Sequence, residues 1–311
     1  MSVMLMLEGK TATFGVFLLF GYFMGTGSGM ADTFQSAFMA DLNPANTAVF
    51  LGILHGIYGI GSLVMPLALQ GMLRYFAWRT VYCIIGFICL ILIMQFIFVH
   101  KQFRSRVPAS TYLESPMDFT EMKNFVTNPG FISVMLCMFF GAAGQSGILV
   151  WTVRYVSTVL QATQMAFICL SLFWGASTIS RFIAPCLPWE KSRIMCIGAL
   201  LTGIAWFAGI TAGTPQAMCA ACVVAGLGSG SGIPLTLNEG TQIDEKHRGL
   251  TTSILMIVKT VSQVLTPVII AMLLNMIGLK KGILTTSALF VMNAAAACWV
   301  MQQRAEIVTG N

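Results

Sequence analysis

Gly25-Thr26-Gly27-Ser28-Gly29 recurs 201 positions later as Gly226-Leu227-Gly228-Ser229-Gly230, and the reading of the whole chain turns on that recurrence. The likeness extends outward at the same offset: Ile53-Leu54 meets Ile254-Leu255, Pro66 meets Pro267, and Leu73 meets Leu274. Glycine is common in apolar helices, so the glycines alone carry little weight. Their identical spacing to a later proline inside an apolar run carries more, because fixed-offset self-similarity marks a duplicated structural unit.

The apolar runs decide the solvent. The chain is 57% hydrophobic and 9% charged, where an ordinary soluble domain carries roughly 25% charged residues. A bilayer core about 30 Å thick needs about 20 apolar helical residues to cross it. Runs of that length occupy 14–39, 48–73, 77–99, 131–155, 164–187, 193–213, 216–237, 250–277 and 281–302, giving about nine spans. The expected fold class is therefore all-α, a polytopic membrane helix bundle. The first run is too glycine-rich and polar to read as a cleaved signal peptide. The nine cysteines lie almost entirely in or against apolar runs, which suits packing better than a secreted disulfide framework. The formal charge of +6 is too small to suggest a nucleic-acid partner.

Residues 100–130 hold His100, Lys101, Arg104, Arg106, Pro108, Glu114, Pro116, Asp118, Glu121 and Lys123, the composition of a solvated linker. The expected domains are a partial N-terminal half over 1–100, a cytoplasmic linker over 101–130 and a C-terminal six-helix half over 131–311. Placing the linker in the cytoplasm puts Lys101, Arg104, Arg106, Lys123, Arg181, Lys191, Arg193, Lys246, Arg248 and Arg304 on that side. The opposite side receives fewer basic residues: Lys10, Arg74, Arg79, Arg154, Lys280 and Lys281. The positive-inside rule favours this orientation. At the repeat offset, spans one to three map onto seven to nine, while counterparts of spans four to six would fall before Met1. The complete architecture is thus expected to have two six-helix halves, the first of them lacking three helices, with a partner chain as one conceivable source.

The chain resembles the major facilitator superfamily from its fourth helix through its twelfth. The resemblance rests on the two glycine clusters with Pro234, Gly141 through Trp151 to Tyr155, Phe173-Trp174-Gly175 through Arg181, and Glu239 to Arg248-Gly249. Gly27 to Asp32, Leu51-Gly52-Ile53-Leu54-His55-Gly56 and Gly59-Ile60-Gly61 are similar to the fucose-permease-like branch. The resemblance implies a secondary transporter of a small organic solute, sugar-like or an organic anion, in a bacterial cytoplasmic (plasma) membrane. It implies alternating access, with protons as a candidate coupling ion and no cofactor or metal. It also implies that spans one, two, four, five, seven and eight border a central cavity while three, six and nine are scaffold.

Ionisable groups at bilayer depth are costly and mark function by default. Asp32 lies in span one with Gln35 three residues on; His55 heads a stripe with Tyr58 and Ser62 on span two; Gln145 and Trp151 lie on span four; Lys259 and Gln263 lie on span eight. Asp32 and His55 are the candidate proton-coupling residues. Gln35, Gln145, Trp151, Lys259 and Gln263 are the candidate substrate contacts, an ammonium serving a carboxylate and an indole a sugar ring. Arg181, Glu239 and Arg248 are candidate gate residues. Blander roles stay open: Asp32 as a helix cap, His55 as a silent hydrogen-bonding residue, Trp151 as packing, Arg181 as a snorkelling side chain.

Gly144-Gln145-Ser146-Gly147 matches the short signature of membrane serine proteases. A nucleophilic serine needs a base within reach, and the only later histidine, His247, falls in an expected loop. Cys219 and Cys222 have the spacing of a redox or metal pair but stand in an apolar run without a second pair. No enzyme is expected. The alternatives to a carrier are a channel, a scaffold or a truncated chain that does not transport.

Overall fold

The computed structural model describes residues 1–42, 44–103 and 118–309. Among them the regular elements are helices: α1 Ser2–Lys10, α2 Phe14–Leu42, α3 Thr47–Leu73, α4 Trp78–Phe103, α5 Phe119–Val126, α6 Pro129–Thr158, α7 Thr163–Ile183, α8 Lys191–Ala212, α9 Pro215–Ser229, α10 Gly232–Thr241, α11 Arg248–Ile277 and α12 Leu279–Thr309. Lipid offers no hydrogen bonds to a backbone, so each apolar run must satisfy its own amides and carbonyls by coiling. Nine segments among the described residues are long and apolar enough to cross a membrane, which gives a multi-pass membrane protein. Their ends carry ordinary signals. Asn128 caps α6 by accepting from Gly130 and Phe131 amides, with Pro129 at the first helical position. Thr214 does the same for α9 with Pro215. Gly213 closes α8 at φ 67°, a left-handed conformation that favours glycine.

Two details depart from the sequence reading. The run expected as one continuous helix over 216–237 is two, α9 and α10, separated by a turn at Gly230-Ser231. The expected linker is partly helical, since α5 lies within it; Arg104, Arg106, Pro108, Glu114 and Pro116 lie outside the described residues.

The duplication is visible helix by helix. The starts of α2 and α9, of α3 and α11, and of α4 and α12 differ by the offset found in the sequence: Phe14 and Pro215, Thr47 and Arg248, Trp78 and Leu279. The short helix α1 fits the same register, corresponding to positions 203–211 in the second part of α8. Its packing confirms the correspondence. A side chain at Gly86 of α4 would meet Ser2 and Met6 of α1, and one at Gly203 of α8 would meet Ser287 and Phe290 of α12. Ser2 pairs with Gly86 as Gly203 pairs with Ser287, one helix crossing made twice.

By contact the chain forms two compact units. The first comprises Met1–Ser36 and the described part of Val64–Ser115; the second comprises Ala37–Leu63 and the described part of Pro116–Asn311. In the first, α1 packs along α4, where Gly9 lies against the Arg79 carbonyl and Cys83 donates to the Met6 carbonyl at 3.5 Å. The apolar window of α2 is 0% buried, whereas that of its counterpart Pro215–Thr241 is 61% buried. The reason is architectural. Helices α7 and α8 close on α9 and α6 flanks α10, whereas a side chain at Gly25 or Gly29 of α2 would meet nothing within 4 Å.

The second unit holds the interior. Tyr155, Phe173, Trp206 and Phe290 fill one cluster, with the Tyr155 hydroxyl donating to the Ile210 carbonyl at 3.1 Å. Another joins Leu51 of α3 to Phe131, Met138, Leu237 and Leu255, so the first part of α3 belongs to this unit by packing. Between helices in lipid the gain comes from close van der Waals contact and small residues. Gly198 of α8 and Gly228 of α9 meet backbone to backbone, each lying where a side chain on the other would stand.

Candidate functional site

The interruption between α9 and α10 follows from Gly226 to Pro234. Glycines 226, 228, 230 and 232 lower the cost of leaving the helix, and Pro234 lacks the amide that would bond the carbonyl four residues earlier, that of Gly230. Uncapped carbonyls at membrane depth cost several kcal/mol, on the order of the desolvation penalty of a peptide group, so each needs a donor. Three neighbouring side chains supply them. Ser180 Oγ donates to the Leu227 carbonyl at 2.7 Å, Gln145 Nε2 to the Ser229 carbonyl at 2.6 Å, and Arg181 Nε to the Gly230 carbonyl at 2.9 Å.

Arg181 does more than cap. Its Nη1 donates at 2.9 Å to the carbonyl of His55 on α3, so one buried guanidinium bridges a first-half helix and the break in a second-half helix. Its planar fork suits two diverging acceptors, and its charge stands 5.6 and 6.0 Å from the ring centroids of Trp174 and Tyr58, within cation–π reach. The backbones come close enough for this because α3 presents Gly52, Gly56 and Gly59 to α7. Side chains there would strike the Arg181 carbonyl, the Phe182 ring and the Thr178 hydroxyl. His55 is buried in the same seam.

A second proline repeats the logic. Pro267 in α11 leaves the Gln263 carbonyl without its helical partner, and Ser146 Oγ of α6 donates to it at 3.1 Å. The serine of the protease-like motif is thus a backbone cap, and His247 is paired with Asp244 at 2.8 Å in the loop before α11. Ser146→Ala is expected to cost about 1 kcal/mol in the native background and near zero when Pro267 is alanine, because the restored amide then bonds Gln263. Thermal unfolding of the four proteins of that cycle measures the coupling.

At the linker end of the second unit, Arg248 Nη1 donates to the Ala40 carbonyl at 3.1 Å, capping the end of α2 from the start of α11. Glu239, 1% exposed, pairs with Arg304 of α12 at 2.6 Å, and Arg304 also bonds Gln242. Of the three expected gate residues, Arg181 and Arg248 therefore reach first-half helices, whereas Glu239 fastens α10 to α12 inside the second half. Among the expected substrate contacts, Trp151 is 7% exposed within the apolar cluster beside Tyr155 and Cys169. Lys259 and Gln263 are half-buried on α11. Asp32, half-buried, and Gln35, exposed, belong to the first unit. The structure thus brings the Gln145 and Arg181 side chains to the break, and reaches His55 and Gln263 through their backbone carbonyls, by Arg181 and by Ser146.

Sequence reasoning missed Ser180, Asn293 and Thr236. The last two line a cavity of ≈ 10 Å³ at the break together with Gln145 and Ser229, room for about one water molecule. Pro234 was the available signal for the capping donors, since it names the carbonyl that must be served.

The model of the Major Facilitator Superfamily matches residues 1–187. No match is found among the curated proteins. Among solved structures, the chain is similar to the major facilitator transporter FucP in its outward conformation, with 13% identity, 96% of this chain and 79% of that one covered, and a TM-score of 0.74. A variant of the E. coli fucose:proton symporter FucP gives 12%, 96%, 80% and 0.73. The proton:xylose symporter XylE, bound to a brominated deoxyglucose, gives 15%, 94%, 77% and 0.68. At such identities the structures speak for the fold, and the family match covers more than half of the sequence: the chain belongs to the major facilitator superfamily.

Proposed function

We propose that this protein is a secondary transporter that carries a small organic solute, sugar-like or an organic anion, by alternating access. Family membership supports the carrier reading, and relatives of the same fold are described as symporters of fucose and xylose with protons. The observation that carries it is the Arg181 fork, which ties the His55 carbonyl of α3 to the broken helix through two hydrogen bonds. A bond set of that size can be made and broken as first-half and second-half helices part and rejoin. Arg248, on Ala40, is the second fastening. Gln145, Lys259 and Gln263 are the proposed solute contacts, and Asp32 and His55 the proposed proton-coupling groups.

Purified protein in proteoliposomes, tested with pentoses, hexoses, deoxyhexoses and carboxylates, is expected to show saturable uptake accelerated by unlabelled solute inside. Flux that rises linearly without saturation marks a channel and overturns the carrier. Saturable uptake that is unchanged when the proton gradient is collapsed removes the coupling role of Asp32 and His55 and leaves a facilitator.

A further inference from the structure

The exposed side of α7, α8 and α9 carries a second feature, apart from the break and its capping side chains. An open groove of ≈ 300 Å³ runs there, walled by Ile183, Leu187, Ile197, Leu201, Val224 and Leu227. Gly198 and Gly228 also line it, where their backbones meet and bring α8 and α9 close together. At the linker end Trp189 lines the mouth and is 55% exposed, as suits an indole at a membrane boundary.

The same mouth is basic. Lys191 Nζ donates to the Pro185 and Leu187 carbonyls at 2.9 and 2.8 Å, which fixes its ammonium over the turn between α7 and α8. Arg193 is exposed and stands one helical turn before Ile197, so it shares the face that Ile197 and Leu201 present to the groove. Both lie in the first turn of α8, a 22-residue helix whose positive end adds to their field. Glu190 is the one acidic side chain in this turn, leaving the mouth net positive.

A cationic rim, an aromatic edge and a continuous apolar slot match an amphiphile with an anionic head and a hydrocarbon tail. We propose that the groove binds one anionic glycerophospholipid of the surrounding bilayer. Its phosphate sits at Arg193 and Lys191 and one acyl chain lies along Ile197 and Leu201. The chain then packs behind Ser180 and Leu227, the outer face of the break.

Native mass spectrometry of the full chain in detergent, with equal additions of dioleoyl phosphatidylglycerol and dioleoyl phosphatidylcholine, tests this. The intact protein is expected to retain one phosphatidylglycerol about five-fold over phosphatidylcholine, the preference one well-placed basic residue supplies. Arg193→Gln, at an exposed position, brings the two lipids level, and Leu201→Trp, which fills the slot, lowers retention of both. Equal retention by the unaltered protein, or phosphatidylglycerol held as firmly by Leu201→Trp, overturns the proposal.

Discussion

Arg181→Ala is expected to reduce solute counterflow at least about ten-fold and to lower the melting temperature of the purified protein. The substitution strands the Gly230 carbonyl, which Pro234 cannot serve, and removes the second bond that the His55 carbonyl accepts beside that of its own helix. A hydrogen bond to a charged donor is worth about 1.5–3 kcal/mol, and an acceptor left buried without a partner costs about 1–3 kcal/mol. Part of that is returned because a desolvated guanidinium is itself expensive to bury, so the net effect is about 2 kcal/mol or more. Arg181→Lys is expected to fall between the two. An ammonium is a single point where the two acceptors diverge, and it cannot serve both carbonyls while keeping the guanidinium's place beside Trp174 and Tyr58. Counterflow in proteoliposomes with matched protein content, together with thermal unfolding, reads both effects. Unchanged transport and melting in the alanine variant would remove Arg181 from the proposed mechanism.

The repeated glycines provide the second large effect, because one motif stands in two environments. Gly226→Ala and Gly230→Ala are expected to abolish most folded protein, whereas Gly25→Ala and Gly29→Ala are expected to be neutral or to stabilise. A methyl on Gly226 meets the Phe173 carbonyl and lies 2.8 Å from Ala176 Cβ; one on Gly230 lies 2.6 Å from the Gly226 carbonyl and 2.6 Å from Ser177 Cα. These are backbone atoms and a short rigid side chain, which cannot swing aside, so overpacking costs about 3 kcal/mol or more. At Gly25 and Gly29 nothing stands within 4 Å. There alanine mainly removes the conformational cost of a helical glycine, a gain of about 0.5–1 kcal/mol. Size-exclusion recovery and melting of the four variants compare the sites. Equal damage at all four would show that the face of α2 bearing Gly25 and Gly29 is packed in the folded protein.

Much of the candidate site was legible as residue types and little of it as partners. Gln145 and His55 stood out because ionisable and amide groups are rare at bilayer depth, and Arg181 stood out as a charge near the end of its span, read as a gate or a snorkelling side chain. Their acceptors were hidden, since a backbone carbonyl has the same letter whether or not its helix continues. The Gln145 amide, a candidate solute contact, also bonds the Ser229 carbonyl, and Trp151, open in the sequence to ring stacking or to packing, lies in an apolar cluster. Glu239 was grouped with Arg181 and Arg248 by charge and position, yet its partner Arg304 is on a helix of the same half.

By itself the sequence determined the spans, their number, and the offset that aligns α2, α3 and α4 with α9, α11 and α12. Apolar length and the demand that every peptide group in lipid bond within its own segment leave no other solution. It also names the carbonyls that lose a helical donor, those four residues before Pro234 and Pro267, because proline lacks an amide wherever it stands, but the break of the run into α9 and α10 appears only in the structure. Which side chains repair those failures was decided only by the tertiary structure, as was the burial of one glycine cluster and the exposure of its twin. Both depend on which helices lie alongside, and that is a property of packing between segments distant in the chain.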